Sequence, residues 1–138
     1  MVISKKLLFQ TRGDGDTIDI TAAVSKAVGE SGARDGVVTL FVVGSTAGLT
    51  TIEYEPGAVA DLRRAFDVVA PQNVDYEHQR RWGDDNGHSH IRAALLGPSL
   101  SVPFNAGRLA LGTWQQVVLI DFDTRPRDRT VVAQIIGA

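Results

Sequence analysis

Apolar and polar positions alternate along this chain in two distinct periods. Ser4 to Arg12 sets Leu7 and Phe9 on one face with polar partners opposite, the two-residue period of a strand. Arg12-Gly13-Asp14-Gly15-Asp16 follows as a solvated turn, where glycines supply the backbone freedom a reversal needs. The period then lengthens. From Asp19 to Ser31, Val24, Ala27 and Val28 line one side of a helix that Asp19 or Thr21 can cap and Gly29 or Gly32 can end. Gly36 to Val43 is an unbroken apolar run rich in β-branched residues, which predicts a central strand covered on both faces. After Gly44-Ser45-Thr46-Ala47-Gly48, alternation returns from Leu49 to Glu55 and predicts a further strand. Ala58 to Ala70 carries the clearest helical stripe, Val59, Leu62, Phe66 and Val69, with Asp61, Arg63, Arg64 and Asp67 on the wet side and Pro71 as the stop.

Tyr76 to Arg92 breaks the pattern with polar and charged residues. A short helix is expected from His88 or Ser89 to Leu96, capped by Asn86 or Ser89 and ended by Gly97-Pro98. The rest reads as strand. Leu100 to Phe104 enters a three-residue hairpin loop at Asn105-Ala106-Gly107. Arg108 to Asp121 reads as one long strand with a bulge at Gly112, and Thr130 to Ile136 as the last strand. These elements predict a single α+β domain over residues 1–138: a mostly antiparallel β-sandwich with two longer helices and one short helix. The C-terminal third lacks the crossover helices of a doubly wound parallel sheet.

Composition narrows the function. The 138 residues are 43% hydrophobic and 22% charged, with a formal net charge of -2. That balance suits a soluble domain and gives no general attraction for nucleic acid or anionic lipid. No apolar run approaches the ~20 residues of a membrane span, and Met1 to Gly15 lacks the features of a signal peptide. The absence of cysteine excludes disulfides, thiolate zinc sites and cysteine nucleophiles, and sets a cytoplasmic expectation.

The candidate chemistry lies in Tyr76 to Arg92, which holds all three histidines, His78, His88 and His90, beside Glu77, Asp84, Asp85, Asn86, Arg80, Arg81 and Arg92. On a strand, His88 and His90 would share a face and could bind one metal ion, with His78 or Glu53 as a further ligand. On a helix they would point about 200° apart at ~3.6 residues per turn. Zinc, nickel or manganese would suit such ligands. The alternative is that His90 packs near a helix start and His88 faces solvent. A helix start next to Arg92, Arg80 and Arg81 also favours an anion, and Gly44-Ser45-Thr46-Ala47-Gly48 adds the hydroxyls of Ser45 and Thr46 between glycines. That pentapeptide is neither a nucleophile elbow nor a P-loop. Glu53, on a strand among apolar neighbours, could serve acid–base work. Trp114 reads as core. Gln115 and Gln116 could serve a ligand or a neighbouring subunit.

The order GSTAGLTTIEYEPG, YEH, NGHSHIRAALLGPSLSVPF and GRLALGTWQQVVLIDFD resembles the YjbQ family, described as secondary thiamine-phosphate synthase enzymes. The resemblance implies an α+β sandwich, a homotrimer, and a polar pocket near the subunit boundary. It also implies a weak activity that joins a thiazole phosphate to a pyrimidine diphosphate and expels pyrophosphate. His78 matches the family's Tyr-x-His histidine and His90 that of its Ala-His-Ile element. Ser45 and Thr46 match the hydroxyls of the His-Thr-Ser-Ala element, and Glu53 the glutamate closing that strand. Trp114 and Gln115 match the Gly-Thr-Trp-Gln signature. Gly44 departs, standing where that element opens with histidine. His88 is additional and is the candidate to compensate. The site expected is therefore His78, His90 and Glu53 for acid–base chemistry, Ser45, Thr46, Arg92 and Gln115 for a phosphorylated small molecule, and His78, His88 and His90 for a divalent metal (Zn, Mg or Mn). The alternatives are a non-catalytic metal- or phosphate-binding trimer, or a metal-dependent hydrolase of another phosphorylated substrate.

Overall fold

A computed structural model describes the chain from Met1 to Ala138. In order, the elements are β1 (Val2–Thr11), β2 (Asp16–Asp19), α1 (Thr21–Ser31), β3 (Gly36–Val42), β4 (Ala47–Ile52), α2 (Pro56–Val69), α3 (Glu77–Trp82), α4 (Gly87–Leu96), β5 (Ser99–Asn105), β6 (Arg108–Leu109), β7 (Gln116–Asp121) and β8 (Arg127–Gly137). They form two antiparallel sheets. The larger runs β1-β8-β3-β5-β6 and the smaller β2-β7-β4. The fold is α+β, as the patterning predicts. No helix is long and apolar enough to cross a membrane.

Alternation explains the layering. Inward residues of the large sheet, among them Val38, Leu40, Val42, Val131, Ala133 and Ile135, meet Ala47, Leu49, Val117 and Leu119 of the small one. Val24, Ala27 and Val28 of α1 join this core. The opposite face of the small sheet presents Val118 and Ile120, followed by Phe122, to Leu62 and Phe66 of α2 and Ala93 and Leu96 of α4. The rings of Phe66 and Phe122 meet edge to face with centroids 4.9 Å apart. Helices α2 and α4, the small sheet and the large sheet are thus stacked in that order, and α1 packs on the inner side of the large sheet, whose outer face is bare.

Several expectations are corrected. Asp16–Asp19 is a strand paired with β7, so α1 begins at Thr21, whose N–H donates to the Asp19 carboxylate. Strand β3 is central within its sheet but covered on one face only, with Phe41 47% exposed. Helix α2 buries none of its residues fully, and Val69 lies 64% exposed. It starts at Pro56, with the Glu55 carboxylate accepting from Gly57 and Ala58. The hairpin turn has two residues, Ala106 and Gly107, both at positive φ as a mirror-image turn requires. The expected long strand from Arg108 to Asp121 is divided: β6 completes the large sheet, while β7 is the middle strand of the small one. Gly112 lies in the crossing between them. There are four helices, not three, because α3 is short and charged and has no apolar stripe to announce it.

Candidate functional site

Helices α3 and α4 bring two of the three histidines together. The His78 and His90 rings lie 4.3 Å apart between centroids and are tilted by 36°. Nδ1 of His78 faces Oδ1 of Asp84 at 2.9 Å, which fixes the ring and leaves Nε2 without a protein partner. The close approach depends on Gly87. Its N–H donates to the Gln79 side chain, and a Cβ there would sit 2.5 Å from Tyr76 Cβ. Arg80 is engaged by Asp75 and Glu77, and Arg81 lies over the Trp82 ring at 5.5 Å.

His88 belongs to another environment. The pair His88–His90 is helical, so the two side chains diverge. His88 is 2% exposed rather than solvent-facing, and its Nδ1 is sealed from solvent without a hydrogen-bond partner. Burial, and then the Arg92 charge, lowers its proton affinity against the pull of Asp14, Asp85 and Asp123. No group of three His, Cys, Asp or Glu side chains comes close enough to hold a metal ion. The three-imidazole metal centre is not assembled within this chain, because the helix turns His88 away.

Beneath these helices lies a polar knot between the sheets. Arg129 of β8 donates through Nε and Nη2 to Asp121 of β7 at 2.7 and 2.8 Å, and through Nη2 to Thr46 Oγ1 at 2.7 Å. Thr11 Oγ1 and the Asp123 N–H also donate to Asp121. Burial pushes the Asp121 carboxyl up, but these donors overcome it and hold it below the usual carboxylate range. Asp123 is held low in the same way, with burial opposed by Thr124, Arg127 and Asn86. It also accepts from Thr46 Oγ1 at 3.3 Å. The Asn86 amide sits between the Asp123 and Asp84 carboxylates. The turn before β4 and the start of α4 therefore meet on one carboxylate.

The remaining expected residues lie elsewhere. Arg92 is buried, with Nε on the Ala70 carbonyl and Nη2 on Asp67, so it ties α4 to the end of α2. Ser45 is exposed and Thr46 is buried. Glu53 follows β4 instead of lying within it, and is exposed. Gln115 donates to Thr51 Oγ1 and accepts from the Gly112 N–H. Trp114 is 74% exposed and is not core. Six β4 residues at ~3.3 Å each separate Thr46 from Glu53 by roughly 20 Å. Sequence reasoning gave Asp84 no role on His78 and missed Asp121, Asp123 and Arg129. Alternation offered a signal: Asp121 closes an apolar strand, and Arg127 and Arg129 share a face of the next.

The family model described as UPF0047 protein YjbQ-like matches residues 5–138. The chain belongs to the YjbQ family. A UPF0047 protein of Archaeoglobus fulgidus is 37% identical over 131 residues, 95% of this chain and 99% of its own length. The UPF0047 protein YugU of Bacillus subtilis is 34% identical, covering 96% and 98%. A YbjQ-like protein of unknown function from Sulfolobus solfataricus has a similar structure, with TM-score 0.94, 29% identity and coverage of 100% and 99%. An uncharacterised YjbQ/UPF0047 protein of Clostridium acetobutylicum gives TM-score 0.87 and 38% identity, covering 96% and 99%. At the β3–β4 corner Gly44 adopts φ +135, and Arg129 Nη1 lies 2.8 Å from where its Cβ would be, so a guanidinium borders this corner.

Proposed function

We propose that this YjbQ protein is a small-molecule enzyme acting on a phosphorylated substrate by acid–base catalysis at the His78–His90 pair. The observation that carries this is the 2.9 Å contact of His78 Nδ1 with Asp84, beside a second imidazole 4.3 Å away. A carboxylate on Nδ1 selects the tautomer whose Nε2 can accept a proton, and a neighbouring imidazole can return one. The reaction favoured by the family resemblance is thiamine-phosphate synthesis, in which a thiazole nitrogen displaces pyrophosphate from the pyrimidine diphosphate. A divalent ion, magnesium or manganese rather than zinc, enters as the companion of the diphosphate.

The same reading makes the working particle a homotrimer. Glu53, just past the end of β4, and Gln115, which bonds Thr51 near that end, lie far from the Thr46 end, and a neighbouring copy would supply them to the histidines. Val2, Leu8, Phe41, Val43 and Ile136, exposed on the outer face of the large sheet, favour such an assembly. The test incubates purified protein with thiazole phosphate and pyrimidine diphosphate and follows thiamine phosphate. His78→Ala and His90→Ala are each expected to lower kcat/KM by roughly 10²–10⁴. Undiminished product in both variants would refute the assignment.

A further inference from the structure

The corner between β3 and β4 holds donors without acceptors. The backbone N–H groups of Gly44, Ser45 and Thr46 make no hydrogen bond within the protein. Thr46 is 6% exposed, and buried backbone donors are nearly always paired. The Ser45 hydroxyl is exposed and has no protein partner. A further donor reaches the corner from β8, the neighbour of β3 in the large sheet. Nε and Nη2 of Arg129 are engaged by Asp121 and Thr46, whereas Nη1 has no partner. His88 Nδ1 is the sole side-chain atom both sealed and unpartnered, so Arg129 Nη1 keeps a route to solvent. Gly44 keeps that route open: at φ +135 it has no Cβ to fill the 2.8 Å gap beside Nη1.

We propose that the N–H groups of Gly44, Ser45 and Thr46, the Ser45 hydroxyl and Arg129 Nη1 form the cradle for the phosphoryl group of the substrate. The proposal rests on the reading of a phosphorylated substrate and replaces Arg92, whose guanidinium is taken up by Ala70 and Asp67, with Arg129. Arg127 and Arg129 are matched locally by Asp121 and Asp123, so the cradle works by directed hydrogen bonds more than by net charge. That arrangement suits a compact tetrahedral oxyanion. Thr46 and Asn86 both reach Asp123, which sets the cradle against the first turn of α4, where His90 lies.

The probe is inorganic phosphate, titrated into ¹⁵N-labelled protein at constant ionic strength with sodium chloride as the balance. Saturable shifts are expected at the amides of residues 44–46 and at the Arg129 guanidinium. Ser45→Ala, which disturbs no protein contact, should weaken phosphate binding about tenfold, the loss of one charge-assisted hydrogen bond. Gly44→Ala should abolish the Arg129 shift, and if it does not fold, Ser45→Ala decides. Shifts confined to Arg80 and Arg81, no saturable binding, or unchanged affinity in Ser45→Ala would overturn the cradle. Phosphate binding without thiamine-phosphate synthesis would sink the proposed reaction and leave the cradle standing. Turnover with an unchanged KM in Ser45→Ala would do the reverse.

Discussion

Replacing Arg129 with methionine isolates the ion pair that joins the two sheets beneath the proposed site. Asp121 is 0% exposed and Arg129 7%. The substitution removes two charge-assisted hydrogen bonds from a carboxylate that keeps only Thr11 Oγ1 and the Asp123 N–H as donors. Stranding a buried charge in this way costs about 3–5 kcal/mol, a large part of the ~5–15 kcal/mol that holds a domain together. At roughly 3–4 °C per kcal/mol for a chain of this size, the melting temperature should fall by about 9–20 °C. Adding Asp121→Leu should recover most of the loss, because an apolar pair of similar volume has no charge to desolvate. Urea unfolding of the two single variants and the double variant supplies the coupling energy.

The pH dependence gives an independent check with opposite signs. In the wild type the folded Asp121 carboxyl lies below its ordinary 3.8, so its stabilisation is present above that value and is lost as pH falls through the folded pKa. In Arg129→Met, burial is no longer overcome and the folded pKa rises. Protonation then relieves the stranded charge, so the deficit against wild type shrinks as pH falls. A cost below about 1 kcal/mol, or parallel acid limbs in the two proteins, would refute the account of this knot.

Two further outcomes follow from the helices. His88 is lowered by burial, so the unfolded chain binds its proton more tightly. Its contribution to stability is present above about 6.5 and is lost as pH falls below that value. His88→Leu should flatten the melting temperature between roughly pH 5 and 7 while leaving neutral stability within about 1 kcal/mol, because it removes an orphaned polar atom from an enclosed position. An unchanged pH profile would count against this. Gly87→Ala forces a methyl group into Tyr76 and should cost about 1–3 kcal/mol by prising α3 from α4. It should also separate His78 from His90, which histidine NMR resonances would report. A folded variant with native resonances would contradict the packing argument.

The fold was legible where burial follows a period. Val38, Leu40 and Val42 are core as their run suggests, and Leu62 and Phe66 mark the inner side of α2. Period alone cannot show which sheet receives a strand. The run from Arg108 to Asp121 therefore concealed a passage between sheets, and the apolar outer face at Phe41 passed for core. The site was legible in its composition but not in its grouping. Residues His78 and His90 stand twelve apart yet stack, because Gly87 permits contact between two short helices. Residues His88 and His90 stand two apart yet diverge, because a helix turns one beneath the surface. Arg129 carried no motif, and its place at the Gly44 corner follows from the β3–β8 register, which pairs Val42 with Val131 and brings residue 129 beside residue 44.

The small sheet has two chemically different ends, and this bears on where any reaction occurs. Its Asp121 end carries the free amides of residues 44–46, Arg129 Nη1 and the stacked imidazoles. Its Gln116 end carries Glu53, Gln115 and the exposed Trp114. Strand β4 is too rigid and too extended to fold these ends onto one small molecule, since each residue adds ~3.3 Å. If the residues that match the family signature serve one substrate, they can do so only where the Gln116 end of one copy meets the Asp121 end of another. A large tryptophan left 74% exposed beside Gln115 is costly in a free monomer and natural in such a junction. Under the proposed function, the Asp121 end of one chain would hold the phosphoryl group and carry the proton, so the binding and catalytic tests can be read separately.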